Sequence, residues 1–148
     1  MNLSELLNQG NLTRHKTSKE EIGNLLRLIK RDIQDAKVKS VSSDRRFATA
    51  YNAILQSAIM VVYCRGYKPK GVGHHSTVFK AIREIMGKEH YDLVDYFDSC
   101  RTKRNITDYS HIGGISESEV EELIEEAGKF LEIVHNWLKE NFPQLLDD

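Results

Sequence analysis

"SDRRFATAYNAILQSAIMVVYCRG", residues 43–66, decides the fold. Phe47, Ala48, Ala50, Tyr51, Ile54, Leu55, Ala58, Ile59, Val61, Val62 and Cys64 cover most of the circumference of one helix. A helix that is apolar nearly all round is packed on several sides, so the other elements must surround it. Gly66 is a natural terminator, because glycine takes the left-handed conformation that closes a helix without a side-chain clash. The longest apolar run, AIMVVYC, is far shorter than the roughly 18 residues of a membrane span.

Working outward, almost every other segment carries helical periodicity. Upstream, Ser18-x-x-Glu21 reads as a capping box. It opens a stripe of Ile22, Leu25, Leu26, Ile29, Ile33 and Ala36, with Glu20, Lys30, Arg31 and Asp35 outside it. Before that come a short amphipathic start, LSELL, and a polar stretch over 8–15. Downstream, Pro69, Gly71 and Gly73 punctuate a loop. Ser76 is expected to cap a short helix bearing Val78, Phe79, Ile82, Ile85 and Met86, ended by Gly87. A further helix is expected from about His90 to about Ser110. Ser116-x-x-Glu119 is a second capping box, opening a long last helix with Val120, Leu123, Ile124, Ala127, Phe130, Leu131, Val134, Trp137 and Leu138 on one face.

The expectation is an all-α, antiparallel four-to-five-helix bundle of the up-and-down type. It forms a single domain over 1–148, with a short N-terminal helix and arm over 1–17 and the core bundle over about 18–142. At 148 residues the chain can bury one core, and 40% hydrophobic with 29% charged residues is the balance of a soluble globular protein. Cys64 and Cys100 lie within helical patterns and read as small buried apolar residues, not as a disulfide or metal pair. The first residues lack the basic start and long apolar core of a signal peptide, so the expected compartment is the cytoplasm.

A net charge of −1 excludes a global field favouring nucleic acid or an anionic membrane, so such a partner needs a local patch. Arg65, Lys68, Lys70, Lys80, Arg83, Arg101, Lys103 and Arg104 concentrate positive charge in mid-chain. The acidic run from Glu117 to Glu126 is a solvated helix start, where carboxylates meet the positive end of the dipole.

Within "RTKRNITDYSHIGG", residues 101–114, polar residues occupy a core stripe. Leu93, Phe97 and Cys100 align along one helix face, and the same line continues to Arg104 and His111. A charge on that line must be paired, snorkelling or facing another molecule. Asp108, four residues on, offers Arg104 an intrahelical partner, though in the weaker order. His111, just ahead of Gly-Gly, reads either as a cation favoured at a helix C-terminus or as the titrating partner of Arg104. A guanidinium that stabilises phosphate oxygens and a group titrating near neutrality make a minimal phosphodiester-cleaving pair. Arg101, Asn105 and Tyr109 share a neighbouring face suited to holding an RNA base or phosphate.

His74 and His75 follow a Gly-rich loop at a helix N-terminus and could bind a metal or phosphate, but two adjacent histidines do not easily face one ion and no carboxylate is near in sequence, so they read as loop anchors. Glu132-x-x-His135 matches half of a di-iron motif, but no second copy exists. No metal and no cofactor are expected.

The run Arg101-x-x-Arg104-Asn105-x-x-x-Tyr109, followed by a Ser-capped acidic helix ending in "FLEIVHNWL", resembles the HEPN domain family. So does the upstream "RGYKPKGVGHHSTVFKAI", and the likeness covers about Asp44 to Phe142. The resemblance implies an all-α bundle, commonly dimeric, in a family with many metal-independent RNases that act as toxins or in host defence. The family signature joins an arginine, a polar residue and a histidine, and Arg104, Asn105 and His111 fit it at its longest spacing.

One departure stands out. A common form has histidine at the fifth position after arginine and tyrosine at the seventh, whereas here those places hold Tyr109 and His111. Two helix positions turn a side chain about 160° away. Two functions therefore follow from the resemblance. One is a homodimeric endoribonuclease or toxin-type effector with Arg104 and His111 as catalytic residues at the dimer interface. The other is a non-catalytic module that binds RNA, a nucleotide or a protein partner. Many family members pair with a minimal nucleotidyltransferase as antitoxin, which this chain does not carry. No membrane partner is expected.

Overall fold

The computed structural model describes residues 2–71, 74–109 and 114–147, with 105–109 described by backbone alone. Its elements are α1 (Leu3–Asn8), β1 (Leu12–Arg14), α2 (Lys19–Ala36), α3 (Ser43–Cys64), β2 (Tyr67–Pro69), α4 (His74–Met86), α5 (Tyr91–Tyr109) and α6 (Glu117–Asn141). Short 3₁₀ turns at Lys88–His90 and Pro143–Leu145 precede α5 and follow α6. The chain is mostly helical, as its periodicity predicts.

α3 is the centre. Phe47, Ala50, Tyr51, Ala53, Ile54, Ala58, Met60, Val61 and Val62 are all essentially buried, on more than one face of the helix. It packs on α2 and α6 most extensively, and also on α4, α5 and β2. Its length and composition would suit a membrane span, but 67% of that apolar window is buried against the rest of the molecule. Covering by neighbouring helices is what all-round hydrophobicity requires. Gly66 follows α3 with φ +91°, and its amide donates to the Tyr63 carbonyl at 2.9 Å, ending the helix as expected.

Arg46 interrupts the apolar surface of α3 and is only 1% exposed. Its Nε donates to the Ala36 carbonyl at the end of α2 (2.8 Å) and its Nη2 to Glu121 of α6 (2.8 Å), with Glu117 at 3.6 Å from Nη1. A planar fork suits such a three-way tie, because each N–H points at a different acceptor.

Three details differ from the sequence reading. The polar stretch 8–15 and the loop after Gly66 pair as a two-stranded antiparallel ribbon, Leu12 opposite Pro69 and Arg14 opposite Tyr67. With three residues in each strand, alternation is too short to register as a pattern, and Pro69 sits at an end where no ladder donor is needed. Leu6 of α1 and Leu12 of β1 are 0% and 1% exposed and join the core, so both elements ahead of α2 contribute to it. α4 begins at His74, two residues before the expected Ser76 cap.

The two capping boxes also diverge. At Ser116 both reciprocal bonds form: Glu119 N–H donates to Ser116 Oγ (3.2 Å) and Ser116 N–H to Glu119 Oε1 (3.0 Å). At Ser18 only the hydroxyl acts, accepting from Glu21 N–H at 3.1 Å. The Glu21 carboxylate turns instead to His15 Nε2 (2.6 Å) and Thr17 Oγ1 (2.7 Å), fastening the β1 end to the start of α2.

Candidate functional site

α5 docks its apolar line on α3 and α4. Val94, Phe97 and Cys100 are the buried residues of that line, with Leu93 at its margin. Phe97 meets Phe130 of α6 edge-on at 4.9 Å. One turn beyond Cys100 the same line reaches Arg104, which is half-buried. There the neighbouring helix offers an aromatic face. The Arg104 guanidinium carbon lies 5.6 Å from the centroid of the Tyr51 ring on α3, inside the range of a cation–π contact.

Tyr51 is 0% exposed and joins three helices. Its ring tilts against Phe79 of α4 at 6.1 Å and against His75 at 5.9 Å. Its hydroxyl is hydrogen-bonded to His75 Nδ1 at 3.3 Å. His74 meets His75 edge to face at 4.5 Å. Burial raises the Tyr51 pKa above the ordinary phenol value, against the opposing pull of Arg104 and Arg101. The hydroxyl therefore keeps its proton throughout the physiological range.

His75 is driven the other way. Burial first, then the nearby charges of His74, Arg104 and Arg101, push its pKa down to about 4. An imidazole normally titrates near neutrality, so this one is held neutral first by its burial and then by nearby positive charge. Arg101 Nε donates to Asp98 on the same helix at 2.8 Å, which offsets part of that charge. Lys103, also on α5, pairs with Glu119 of the α6 capping box.

Of the residues singled out from sequence, Arg104 meets the Tyr51 ring, and the charges of Arg101 and Arg104 both act on Tyr51 and His75. Asn105 and Tyr109 lie on the last turns of α5, and their side chains are outside the described residues, as is that of Asp108. His111 lies outside them altogether.

The sequence reading passed over Tyr51 as a site residue and gave His75 only a loop-anchoring role. Tyr51 was hidden among eleven apolar positions of α3, where its hydroxyl has no periodic signature. His75, expected to anchor a loop, sits in the first turn of α4 and reaches the α3–α5 junction. Among the described residues, no group of three His, Cys, Asp or Glu side chains is placed to hold a metal ion. The arrangement is suited to an anion: two guanidinium groups and an imidazole that gains by their neutralisation, over an aromatic floor. No family model, curated protein or solved structure matches this chain.

Proposed function

We propose that this is a HEPN-like domain, an up-and-down bundle that works as a homodimer and engages RNA through its phosphate backbone at Arg104. The observation that carries the reading is the convergence of Arg101 and Arg104 with His75 and Tyr51 at the α3–α4–α5 junction. Two such sites across a two-fold axis would repel one another, and a phosphodiester between them would relieve that repulsion.

In the catalytic form of this reading the ribose 2′-hydroxyl attacks phosphorus and the 5′-oxygen leaves, giving a 2′,3′-cyclic phosphate. One group accepts the 2′ proton and another supplies a proton to the 5′-oxygen, so no metal is required. Arg104 stabilises the charge that builds on the phosphorane oxygens. His111 is assigned to proton transfer, and Arg101, Asn105 and Tyr109 to holding the strand.

The second reading keeps the phosphate site and drops the cleavage. The exchanged Tyr109 and His111 favour it, since His111 stands two helix positions from the place the resemblance assigns to a histidine. The protein would then be a non-catalytic module for RNA, a nucleotide or a protein partner, whereas a nucleotidyltransferase-type antitoxin partner belongs to the toxin reading.

Incubating the purified protein with single-stranded RNA between about pH 6 and 8, where a histidine acid or base works, decides between them. Cleavage lost in Arg104→Ala supports the ribonuclease. Intact RNA, bound by wild type and not by Arg104→Ala, supports the module. Binding indifferent to Arg104 defeats both.

A further inference from the structure

The fold joins two stretches of positive charge that lie far apart in the chain. Residues 11–17 and 65–71 hold Arg14, Lys16, Arg65, Lys68 and Lys70 and none of the chain's 22 acidic residues. They are the two arms of the β1–β2 ribbon. The ladder runs past both strand ends: His15 N–H donates to the Gly66 carbonyl at 2.8 Å and Lys70 N–H to the Asn11 carbonyl at 2.9 Å. We propose that this ribbon is a track for an RNA backbone, its exposed cations taking phosphates of a strand that also reaches Arg104. The choice of ligand rests on the reading of the protein as an RNA binder, and the ribbon is a surface that the Arg104 site does not contain.

All five cations are exposed, and among the described residues none of them forms an ion pair. Other cations of the mid-chain cluster are held: Arg83 by Asp95, Arg101 by Asp98 and Lys103 by Glu119. The carboxylate at the base of the ribbon, Glu21, is taken up by His15 Nε2 and Thr17 Oγ1. On a chain of net charge −1, five unpaired cations on one small element make a local field that selects a polyanion.

The register keeps the array in place. Arg14 stands opposite Tyr67 and Lys68 opposite Thr13, so these cations face neutral neighbours and not each other. Lys68 and Lys70, two positions apart along the extended ladder, are separated by about 7 Å. Leu12, 1% exposed, roots the ribbon in the core, and β2 packs on α3 and α4. The cations therefore ride on a fixed backbone, and binding need not order a loop.

The ribbon also ends near the first site. Lys70 and His74 are four residues apart, at most about 14 Å of chain. His74 meets His75, which is bonded to Tyr51, whose ring Arg104 meets. One short strand can span both. Half-buried Tyr67 beside Arg14 offers a base an aromatic surface among the phosphate contacts. A bilayer is the poorer fit, because Leu12 is turned into the core and the two strands expose no branched aliphatic side chain for insertion.

The test uses the full chain and a fluorescein-labelled 2′-O-methyl uridine dodecamer, which lacks the attacking hydroxyl and stays intact. Affinity is measured by anisotropy between about 0.05 and 0.2 M salt. Lys68→Gln/Lys70→Gln should bind at least about tenfold more weakly at the low-salt end, with a slope of log affinity against log salt shallower by about 1.4. Arg14→Gln/Arg65→Gln is a second, independent pair with the same expectation. Lys37→Gln/Lys39→Gln removes the same charge from the exposed α2–α3 connection and should bind like wild type. An equal loss in that control makes the effect one of net charge and overturns the inference. Ribbon pairs that bind like wild type, while Arg104→Ala abolishes binding, overturn the inference alone and leave the Arg104 site standing. A wild type that binds no RNA overturns both. Ribbon-dependent sedimentation with phosphatidylcholine–phosphatidylserine vesicles, with RNA affinity unaltered in the same variants, overturns it in favour of a lipid surface.

Discussion

The Arg104 guanidinium carbon sits 5.6 Å from the centre of the Tyr51 ring, joining the candidate site on α5 to the central helix of the fold. A half-buried cation on a core line is thereby given a polarisable surface and not a gap.

The contact predicts different outcomes for two substitutions. Arg104→Lys keeps the charge but loses the planar fork and its stacking face, so RNA affinity should fall at least about tenfold. Stability should change little, by about 0.5–1 kcal/mol, the scale of one partly exposed cation–π contact. Anisotropy and thermal melting of the same samples separate the two effects. Equal RNA affinity in Lys and wild type would sink the role given to the fork.

Tyr51→Phe should cost about 1 kcal/mol, the net value of one hydrogen bond, because the ring and its packing on Phe79 stay. Tyr51→Leu should cost about 2–4 kcal/mol, since both the aromatic contacts and part of the core volume are lost. Urea unfolding of the pair gives the comparison directly.

Arg46 predicts a contrast between removing a donor and removing an acceptor. Arg46→Ala strands the Ala36 carbonyl and opens a cavity beneath α2 and α6, at a cost of about 2–4 kcal/mol. Glu121→Gln touches only the half-exposed end of the same network and should cost under about 1 kcal/mol. Comparable losses from both would show that the ion pair, and not the buried carbonyl bond, holds the helices.

Stability against pH should fall in two separate windows. His75 has its folded pKa depressed from 6.5 to about 4, so the unfolded chain binds that proton more readily. Its contribution is complete above about pH 6.5 and is lost as pH falls toward 4. The loss is on the order of 1–3 kcal/mol after allowance for solvent screening. Burial works against the charge of Glu21, yet hydrogen bonds from His15 and Thr17, with the charges of His15 and Lys68, outweigh it and hold the carboxyl below its ordinary 4.5. Its stabilisation is present above that value and disappears only below it. Denaturant melts of His75→Gln should flatten the upper window, while Glu21→Gln should flatten the lower one.

Burial pushes the Cys64 thiol up to about 12 and the Cys100 thiol up to about 11. Neither supplies thiolate at neutral pH, so an aromatic disulfide reagent should label the native protein only at the rate of its opening. Two thiols titrating within seconds before denaturation would contradict the burial of both.

Periodicity alone determined a great deal here. The all-round apolar helix over 43–66 required a centre with helices packed about it, and Gly66 and Ser116 marked real boundaries, because these are local effects of backbone and side-chain geometry. The line through Phe97 and Cys100 to Arg104 was equally legible, since helical spacing fixes which residues share a face. What periodicity could not reveal was which neighbour Arg104 would meet. Tyr51 counted as one more apolar residue and His75 as part of a loop, and the ribbon between 12–14 and 67–69 had no pattern at all. Those pairings join positions dozens of residues apart, and only packing three helices at one junction brings the hydroxyl, the imidazole and the guanidinium into a common electrostatic field.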